Sequence, residues 1–311
     1  MNILITGGTG YLGIHVINKL VKLKNVKIII LDNFINSNPK ILDNILNKEK
    51  KKIILKKIDI TNLKKLKKIF KECNIDHIIH LAALIDAKES IKNKKKYLLT
   101  NFQATKNLID LSNKHNVKKF IFTSSAAVYG NTKHKFCYEG HKTIPINPYG
   151  ISKLKAEKYI KLKSRHTKYY ILRIFNLIGH KKDLYKYFQN RQSIYFKIIK
   201  SIKTKKKNFK LFNFKRKKFF HSTERDFINV NDVSKIITKL IFMKKNNLIF
   251  NCGTGKRISM LNLINYFENK FNYKLNIINY HKTKQDPESI VASISKFKKY
   301  FKNIKLKLIN V

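Results

Sequence analysis

The sequence predicts an α/β fold, a doubly wound parallel sheet with a smaller C-terminal α/β lobe. Three observations carry this prediction. Runs of four to seven residues, apolar on both faces, recur through the first 175 residues; amphipathic stretches of helical length separate them; and a glycine-rich turn, "ITGGTGYLG", follows the first run. Strands buried on both faces need helices on each side, and parallel neighbours need a long crossover. With the glycine turn placed between the first strand and the first helix, the pattern is Rossmann-type.

The elements follow in order. "NILIT" (2–6) is the first strand and 11–24 the first helix. "VKIIIL" (26–31) and "KIILKKI" (52–58) are the next strands, then a helix over 62–72 and the strand "HIIHLA" (77–82). A long helix over 95–115 leads to "KFIFTS" (119–124), and a helix over 149–164 leads to "YYILRIF" (169–175). Residues 1–176 are therefore expected to form a nucleotide-binding domain. Beyond Asn176 the pattern loosens, and 177–311 is expected to be mainly a substrate-binding lobe with a basic, mobile segment near 203–224. Two later units, "FINVNDVSKIITKLIF" and "LIFNCGTGKRISMLNLINYF", read as strand then helix, and segments near 226–251 are expected to return to the first domain.

Composition bounds the partners. The formal charge is +50, with 62 Lys against 6 Arg. Lys, Ile and Asn make up 142 of 311 residues, and all three use A/T-rich codons, so a genome-wide bias inflates them together. A surface selected for phosphate would favour the bidentate fork of Arg, so a nucleic-acid partner is not expected despite the charge. Cys73, Cys137 and Cys252 lie far apart and suggest neither a disulfide framework nor a metal site. The longest apolar runs fall short of the ~18 residues that a membrane span requires. "MNILITGG" has no basic region before an apolar core and reads as a strand, not a signal peptide, so a cytoplasmic protein is expected.

The glycine turn carries the first chemistry. Gly7, Gly8, Gly10 and Gly13 permit a tight turn that brings backbone amides of the first helix up to a pyrophosphate. Asp32 ends the second strand, where a carboxylate accepts from the ribose hydroxyls of adenosine and repels a 2′-phosphate. The pair points to NAD in preference to NADP.

A Tyr and a Lys four residues apart can share a helical face, yet six of the 15 tyrosines have such a lysine, and lysine abundance alone supplies many of these. Context singles out Tyr149 and Lys153. Tyr149 follows Pro148 at the start of a helix, and "FTSSAAVYG" upstream brings Ser124 and Ser125 to the C-terminal end of a strand. Such strand ends form the ligand crevice of an open α/β sheet.

At this point the chain resembles the extended short-chain dehydrogenase/reductase family, also called the NAD-dependent epimerase/dehydratase family, and within it the UDP-glucose 4-epimerase branch. The matching stretches are "TGGTGYLG", "LDNFINS", "DIT", "HLAALIDAKES", "TNFQATKNLI", "FIFTSSAAVYG", "PYGISKLKAE", "LRIFNLIG" and "RDFINVNDV", in family order over residues 1 to about 260. The resemblance implies NAD held by Gly7, Gly10, Tyr11, Leu12, Gly13, Asp32, Asn33, Asn36, Asp59, Ile60, Leu81, Ala82, Ala83, Asn101, Ser124, Tyr149, Lys153 and Phe175. It implies Tyr149, Lys153 and Ser125 as catalytic residues: Tyr149 the acid/base at the sugar 4-hydroxyl, Lys153 its charged support, Ser125 a partner of the same hydroxyl. A UDP-sugar would be held by Ser125, Tyr149, Asn176, Arg225 and Asp286, no metal is implied, and the oligomer would be a homodimer built on the helices near 95–115 and 149–164.

One motif separates neighbouring activities. Dehydratases of this family carry an Asp-Glu pair where this chain has Ala126 and Ala127, which disfavours loss of water. Other departures concern grip: Thr283 stands where the family commonly has an arginine, between Lys282 and Lys284, and Ile85 stands where some relatives have a lysine. The tail after "KKYFKNIK" lacks the usual final helix, and Ile290, near the sugar pocket, does not clearly exclude an N-acetyl group. Two alternatives stay open: another sugar-nucleotide epimerase, dehydratase or decarboxylase, and a non-catalytic basic RNA-binding or scaffold relative.

Overall fold

The computed structural model describes residues 1–43, 45, 49, 52–216, 219–281, 287–304 and 306. Its first half alternates β1 (Asn2–Thr6), α1 (Tyr11–Leu20), β2 (Lys27–Asp32), β3 (Ile53–Lys57), α2 (Leu63–Glu72), β4 (His77–His80), α3 (Ala104–Lys114), β5 (Lys119–Ser125), α4 (Pro148–Lys163) and β6 (Lys168–Ile174). It continues through β7 (Asn176–Ile178), α5 (Ile194–Lys203), β8 (Asn208–Arg216), β9 (Phe219–His221), β10 (Glu224–Arg225), β11 (Phe227–Asn229), α6 (Val230–Phe242) and β12 (Leu248–Cys252). The last elements are β13 (Ile258–Ser259), α7 (Met260–Phe271), β14 (Asn276–His281) and β15 (Ser289–Ile290), before a short helix at Ser295–Tyr300.

Seven strands form one sheet in the order β3-β2-β1-β4-β5-β6-β12, with every pair parallel. Side chains alternate across a strand, and the two faces bury different cores. Ile3, Ile5, Ile28, Ile30, Ile79 and Ile121 pack with Ile14 and Ile17 of α1 and Val233 and Ile237 of α6. Leu4, Ile29, Leu31, Ile78, Phe120 and Phe122 pack with Leu66 of α2, Leu108 of α3 and Ala156 and Ile160 of α4. Fully burying one such aliphatic side chain contributes about 1.5–3 kcal/mol, so this doubly covered sheet is the stiff platform on which the site stands. The chain leaves β1 toward β2 on one side and returns through β4 on the other. That switch point opens a crevice at the C-terminal strand ends.

Local sequence explains the helix starts. Asn62 accepts from the Lys65 amide at 3.0 Å ahead of α2, and Asn147 accepts from the Gly150 amide at 2.9 Å ahead of α4, with Pro148 at the first helical position. Gly150 is required here: a Cβ would stand 2.6 Å from the Ala127 carbonyl oxygen, so only glycine lets α4 lie against the end of β5. Among the described residues, no helix is long and apolar enough to cross a membrane.

Two expectations are refined. The helix read over 95–115 is a helical run in which Leu98–Gln103 forms a π-helical turn. Its widened turn carries buried Asn101, whose amide donates to the Leu84 carbonyl and accepts from the Leu84 amide, both at 2.9 Å. The stretch near 203–224, expected as a basic mobile segment, carries β8, which pairs with β14 and β9. Phe209 and Leu211 are buried at alternate positions, and exposed Phe212, apolar on the outer face, hides this two-residue period in the sequence.

Three histidines, His15, His77 and His80, are buried, His180 is half-buried, and all four favour the neutral form. Burial lowers the pKa of His80 to about 3 and those of His15, His77 and His180 to about 4. Their folded values lie below the unfolded 6.5, so between about 4 and 6.5 the unfolded chain binds more protons and stability falls as pH falls. Each of the three buried histidines contributes up to about 1.4 kcal/mol per pH unit in that window. Urea titrations from pH 7 to 4.5 are expected to show this slope, reduced in His15→Gln; a flat profile would contradict the burial assignment.

Candidate active site

The glycine turn is built by close approach. Gly7 has φ +70°, and a Cβ there would fall 2.7 Å from the Ala82 amide nitrogen, so the turn can touch the end of β4 only as glycine. Gly10 precedes α1 with no side-chain cap, which leaves the amides of Tyr11, Leu12 and Gly13 facing out of the helix N-terminus without an intrahelical acceptor. The Tyr11 ring is turned away from that opening. It is buried against Phe188 and Phe196, its hydroxyl donates to the Gly179 carbonyl, and the Arg191 guanidinium lies over it at 5.1 Å. Leu81 and Ala82 are held by Thr6, whose hydroxyl is 2.6 Å from His80 Nδ1. Ala83 continues this loop, and Asn101 pins its next residue, Leu84, while donating to Ser152 of α4 at 3.1 Å.

At the end of β2 the Asp32 carboxylate accepts from the Thr9 amide and hydroxyl at 3.1 and 2.6 Å, and from the Phe34 amide and Ser37 hydroxyl at 3.0 Å each. It thereby ties the glycine turn to the loop bearing Asn33 and exposed Asn36. Beside it, Asp59 accepts from the Thr61 amide and hydroxyl and from Asn33 Nδ2 at 2.9 Å. Burial would raise the Asp59 pKa, but these donors outweigh it and hold the carboxyl below its usual range. Buried Ile60 floors this loop. A side-chain-free cradle, three outward amides and a fixed carboxylate at the second strand fit a dinucleotide with an unmodified adenosine ribose. Asp32→Ala is expected to weaken NAD binding about tenfold, about 1.4 kcal/mol, and to narrow the preference over NADP. Fluorescence titration with both cofactors checks this, and an unchanged preference would contradict it.

The catalytic candidates meet where β5 ends. The Ser125 hydroxyl is hydrogen-bonded to the half-buried Tyr149 phenol. Burial raises the phenol's pKa and the Ser125 bond acts against that rise. One turn further along α4, the Lys153 ammonium donates to the Thr123 carbonyl at 2.9 Å and lies 4.9 Å from the centre of the Phe122 ring. Burial lowers the Lys153 pKa to about 7, and the Glu157 carboxylate opposes the shift. Ser124 turns inward, away from the crevice, and donates to Glu157.

On the far side, Phe175 is buried with Val128, Tyr129 and Ile290. Asn176 begins β7 and donates to the Asp226 carbonyl at 3.0 Å. The Arg225 guanidinium donates to the carbonyls of Glu224 and Pro287 at 2.7 Å and Glu288 at 3.2 Å, so it holds the start of β15. Asp286, with Lys282, Thr283 and Lys284, lies outside the described residues.

Sequence reasoning missed the buried charges around this site. Asp226 is fully buried, and its carboxylate takes the amides of Thr254, Gly255 and Ala292 and the Thr254 hydroxyl, clamping the turn after β12 to the β10–β11 junction. Arg173 and Glu157 form a buried ion pair at 2.7 Å. Nothing in a single sequence tells these carboxylates from solvated ones. Only the neighbouring motifs, "TERDF" and "KLKAE", hint at them.

A dinucleotide turn opening α1, with a serine, tyrosine and lysine at the ends of the same parallel sheet, defines a nicotinamide-dependent protein of the extended short-chain dehydrogenase/reductase type. The sequence pattern of the NAD dependent epimerase/dehydratase family matches residues 3–253. The chain belongs to that family, and NAD is its cofactor. A UDP-glucose 4-epimerase of Pasteurella multocida is 32% identical over 294 residues, covering 88% of this chain and 85% of that protein. The crystal structure of UDP-glucose 4-epimerase from Bifidobacterium longum, in complex with NAD+ and UDP, superposes with a TM-score of 0.88 at 28% identity, covering 99% of this chain and 94% of that one. The UDP-Glc/GlcNAc 4-epimerase of Campylobacter jejuni gives a TM-score of 0.81 at 26% identity, covering 100% and 94%.

Proposed function

We propose that the protein is a UDP-sugar 4-epimerase, an isomerase that interconverts UDP-glucose and UDP-galactose by reversible oxidation at C4 of the sugar. The observation that carries this reading is the Ser125–Tyr149–Lys153 group beside Ala126 and Ala127: groups for moving one hydroxyl proton are present, and the side chains at 126 and 127 can neither donate nor accept a second. The similarity to UDP-glucose 4-epimerases supports it.

NAD, when bound, supplies the centre that accepts and returns hydride. The glycine turn and the amides of Tyr11, Leu12 and Gly13 would hold its diphosphate, and Asp32 with Asn33 and Asp59 its adenosine end. Tyr149 takes the proton from the 4-hydroxyl and gives it back, with Ser125 sharing the hydrogen bond. A buried phenol resists ionisation, so the positive charge of Lys153 is needed to favour the phenolate. Asn176 and Arg225 orient the nucleotide portion, and Phe175 with Ile290 forms the wall beside the sugar.

The test is to incubate purified protein with UDP-galactose and follow UDP-glucose, with UDP-N-acetylgalactosamine in parallel. UDP-glucose formation is expected; turnover of neither substrate would overturn the reading, and turnover of the N-acetyl substrate alone would reassign the sugar. The reading includes a homodimer. Leu99, Ile151 and Leu162 are exposed on α4 and the helical run before α3, beside a groove of about 250 Å³ lined by Phe102, Tyr159 and Leu162. Sedimentation velocity tests it, a monomer at assay concentration being the contrary result.

A further inference from the structure

Three consecutive residues at the end of β5 are each gripped by a different turn of α4. Ser125 is bonded to Tyr149, the Thr123 carbonyl accepts from Lys153 at 2.9 Å, and the Ser124 hydroxyl donates to Glu157. The spacing i, i+4, i+8 places Tyr149, Lys153 and Glu157 in one row along the helix, facing the strand end. Tyr149 and Lys153 have roles in the proposed reaction; Glu157 touches no reacting group.

Glu157 is also the best-fixed of the three. Arg173 Nε donates to both of its oxygens at 3.1 and 3.2 Å, and Nη2 donates to Oε2 at 2.7 Å. The same guanidinium donates through Nη1 to the Tyr129 hydroxyl and the Glu139 carbonyl, each at 3.0 Å. Tyr129 donates onward to Asn251 Oδ1 at 2.6 Å, which anchors the network on β12. A buried ion pair contributes little net stability compared with apolar packing, yet this one recruits four elements to hold a single serine. Ser124 immediately precedes Ser125, so fixing the Ser124 side chain on one face of the strand sets the direction of Ser125 on the other.

We propose that Glu157 is a positioning residue of the active site: locked by Arg173, it holds Ser124 and thereby aims the Ser125 hydroxyl at the Tyr149 phenol. The inference rests on the roles given to Ser125 and Tyr149 above. Tyr97, from the helical turn before α3, meets the Tyr149 ring edge-on at 6.4 Å, and Lys153 follows one turn along α4; His80 of β4 and Glu157 act on Lys153, and Arg173 of β6 is paired with Glu157. Because Glu157 also supports the charge on Lys153, the geometric effect on Ser125 is read in Ser124→Ala, which leaves the Glu157–Arg173 pair in place.

The experiment uses the full-length NAD-bound protein and the variants Glu157→Gln, Ser124→Ala, Ser125→Ala and Ser125→Ala/Glu157→Gln. Glu157→Gln is expected to lower kcat for UDP-galactose about 10–30-fold, about 1.4–2 kcal/mol at one decade per 1.36 kcal/mol, with KM within about twofold. Ser124→Ala leaves the ion pair intact, so it guards against a folding defect and should reproduce most of the loss at an unchanged Tm. In the Ser125→Ala background, Glu157→Gln should cost less than about twofold, because residues acting through one group are not additive. The second readout needs no substrate. In protein labelled with ¹³Cζ-tyrosine, the Tyr149 resonance, assigned with Tyr149→Phe, should titrate at higher pH in both Ser125→Ala and Ser124→Ala. Ser124→Ala removes no charge, so a purely electrostatic role of Glu157 would leave that titration unmoved. Wild-type kcat in Ser124→Ala, additive losses in the double variant, or an unshifted Tyr149 titration in Ser124→Ala would overturn the proposal. A wild type that turns over no UDP-sugar would overturn the proposed function alone, and the titration would still decide the role of Glu157.

Discussion

Tyr149→Phe is expected to lower kcat about 10³-fold or more while leaving fold, NAD content and KM nearly unchanged. Phenylalanine keeps the ring and its edge-on contact with Tyr97, so packing is conserved and only the proton carrier is lost. A positioned acid/base contributes about 10²–10⁴-fold. The crevice offers no close substitute, because Ser125 is a far weaker base and His80 is tied to Thr6 and Thr105 with its pKa lowered to about 3. Rate measurements with UDP-galactose, alongside circular dichroism and bound-NAD content, check the result; activity within tenfold of wild type would remove Tyr149 from the chemistry.

The second large effect falls on Lys153, where activity and stability should move in opposite directions. Lys153→Met removes a buried ammonium and keeps most of the stem's volume. Activity should fall about 10²-fold, because the phenolate of Tyr149 loses the positive charge one helical turn along α4, and the active limb of the pH profile should move to higher pH. Stability should rise. Burial holds the Lys153 pKa at about 7, below its unfolded 10.5, so the folded state binds fewer protons between those values. The destabilisation that this group causes therefore grows as pH falls from 10.5 to about 7 and is constant below. The gain in Lys153→Met should be largest at pH 7 and below and fade toward pH 10.5. Urea denaturation at pH 6.5 and 9.5 measures it, and a variant less stable than wild type at both values would contradict the picture of a charge held at structural cost.

Periodicity made the platform readable. β1 through β6 are short and built on apolar runs, so their edges in the sequence match the strands to within two residues. Tyr149 could be separated from five similar tyrosines because Pro148 marks a helix start and Ser124–Ser125 mark a strand end, and the structure brings Ser125, Tyr149 and Lys153 together there. What stayed hidden had no local signature. The alternation of Phe209 and Leu211 in β8 is masked by Phe212, an apolar side chain on the exposed face. The π-helical turn at Leu98–Gln103 needs only one extra residue, and helical periodicity tolerates that. Glu157 and Arg173 lie 16 residues apart, and Asp226 meets its partners 28 and 66 residues away. A buried carboxylate and a solvated one look the same until the chain is folded. In a chain this rich in lysine, charge alone carries almost no positional information.

Oxidation and re-reduction of the sugar at C4 within one site is tested by converting UDP-[4-²H]galactose in ordinary water. UDP-glucose with the deuterium retained at C4 is expected in every turnover, since the hydrogen leaves and returns as hydride without meeting solvent. UDP-glucose carrying protium at C4, or no UDP-glucose at all, would contradict it.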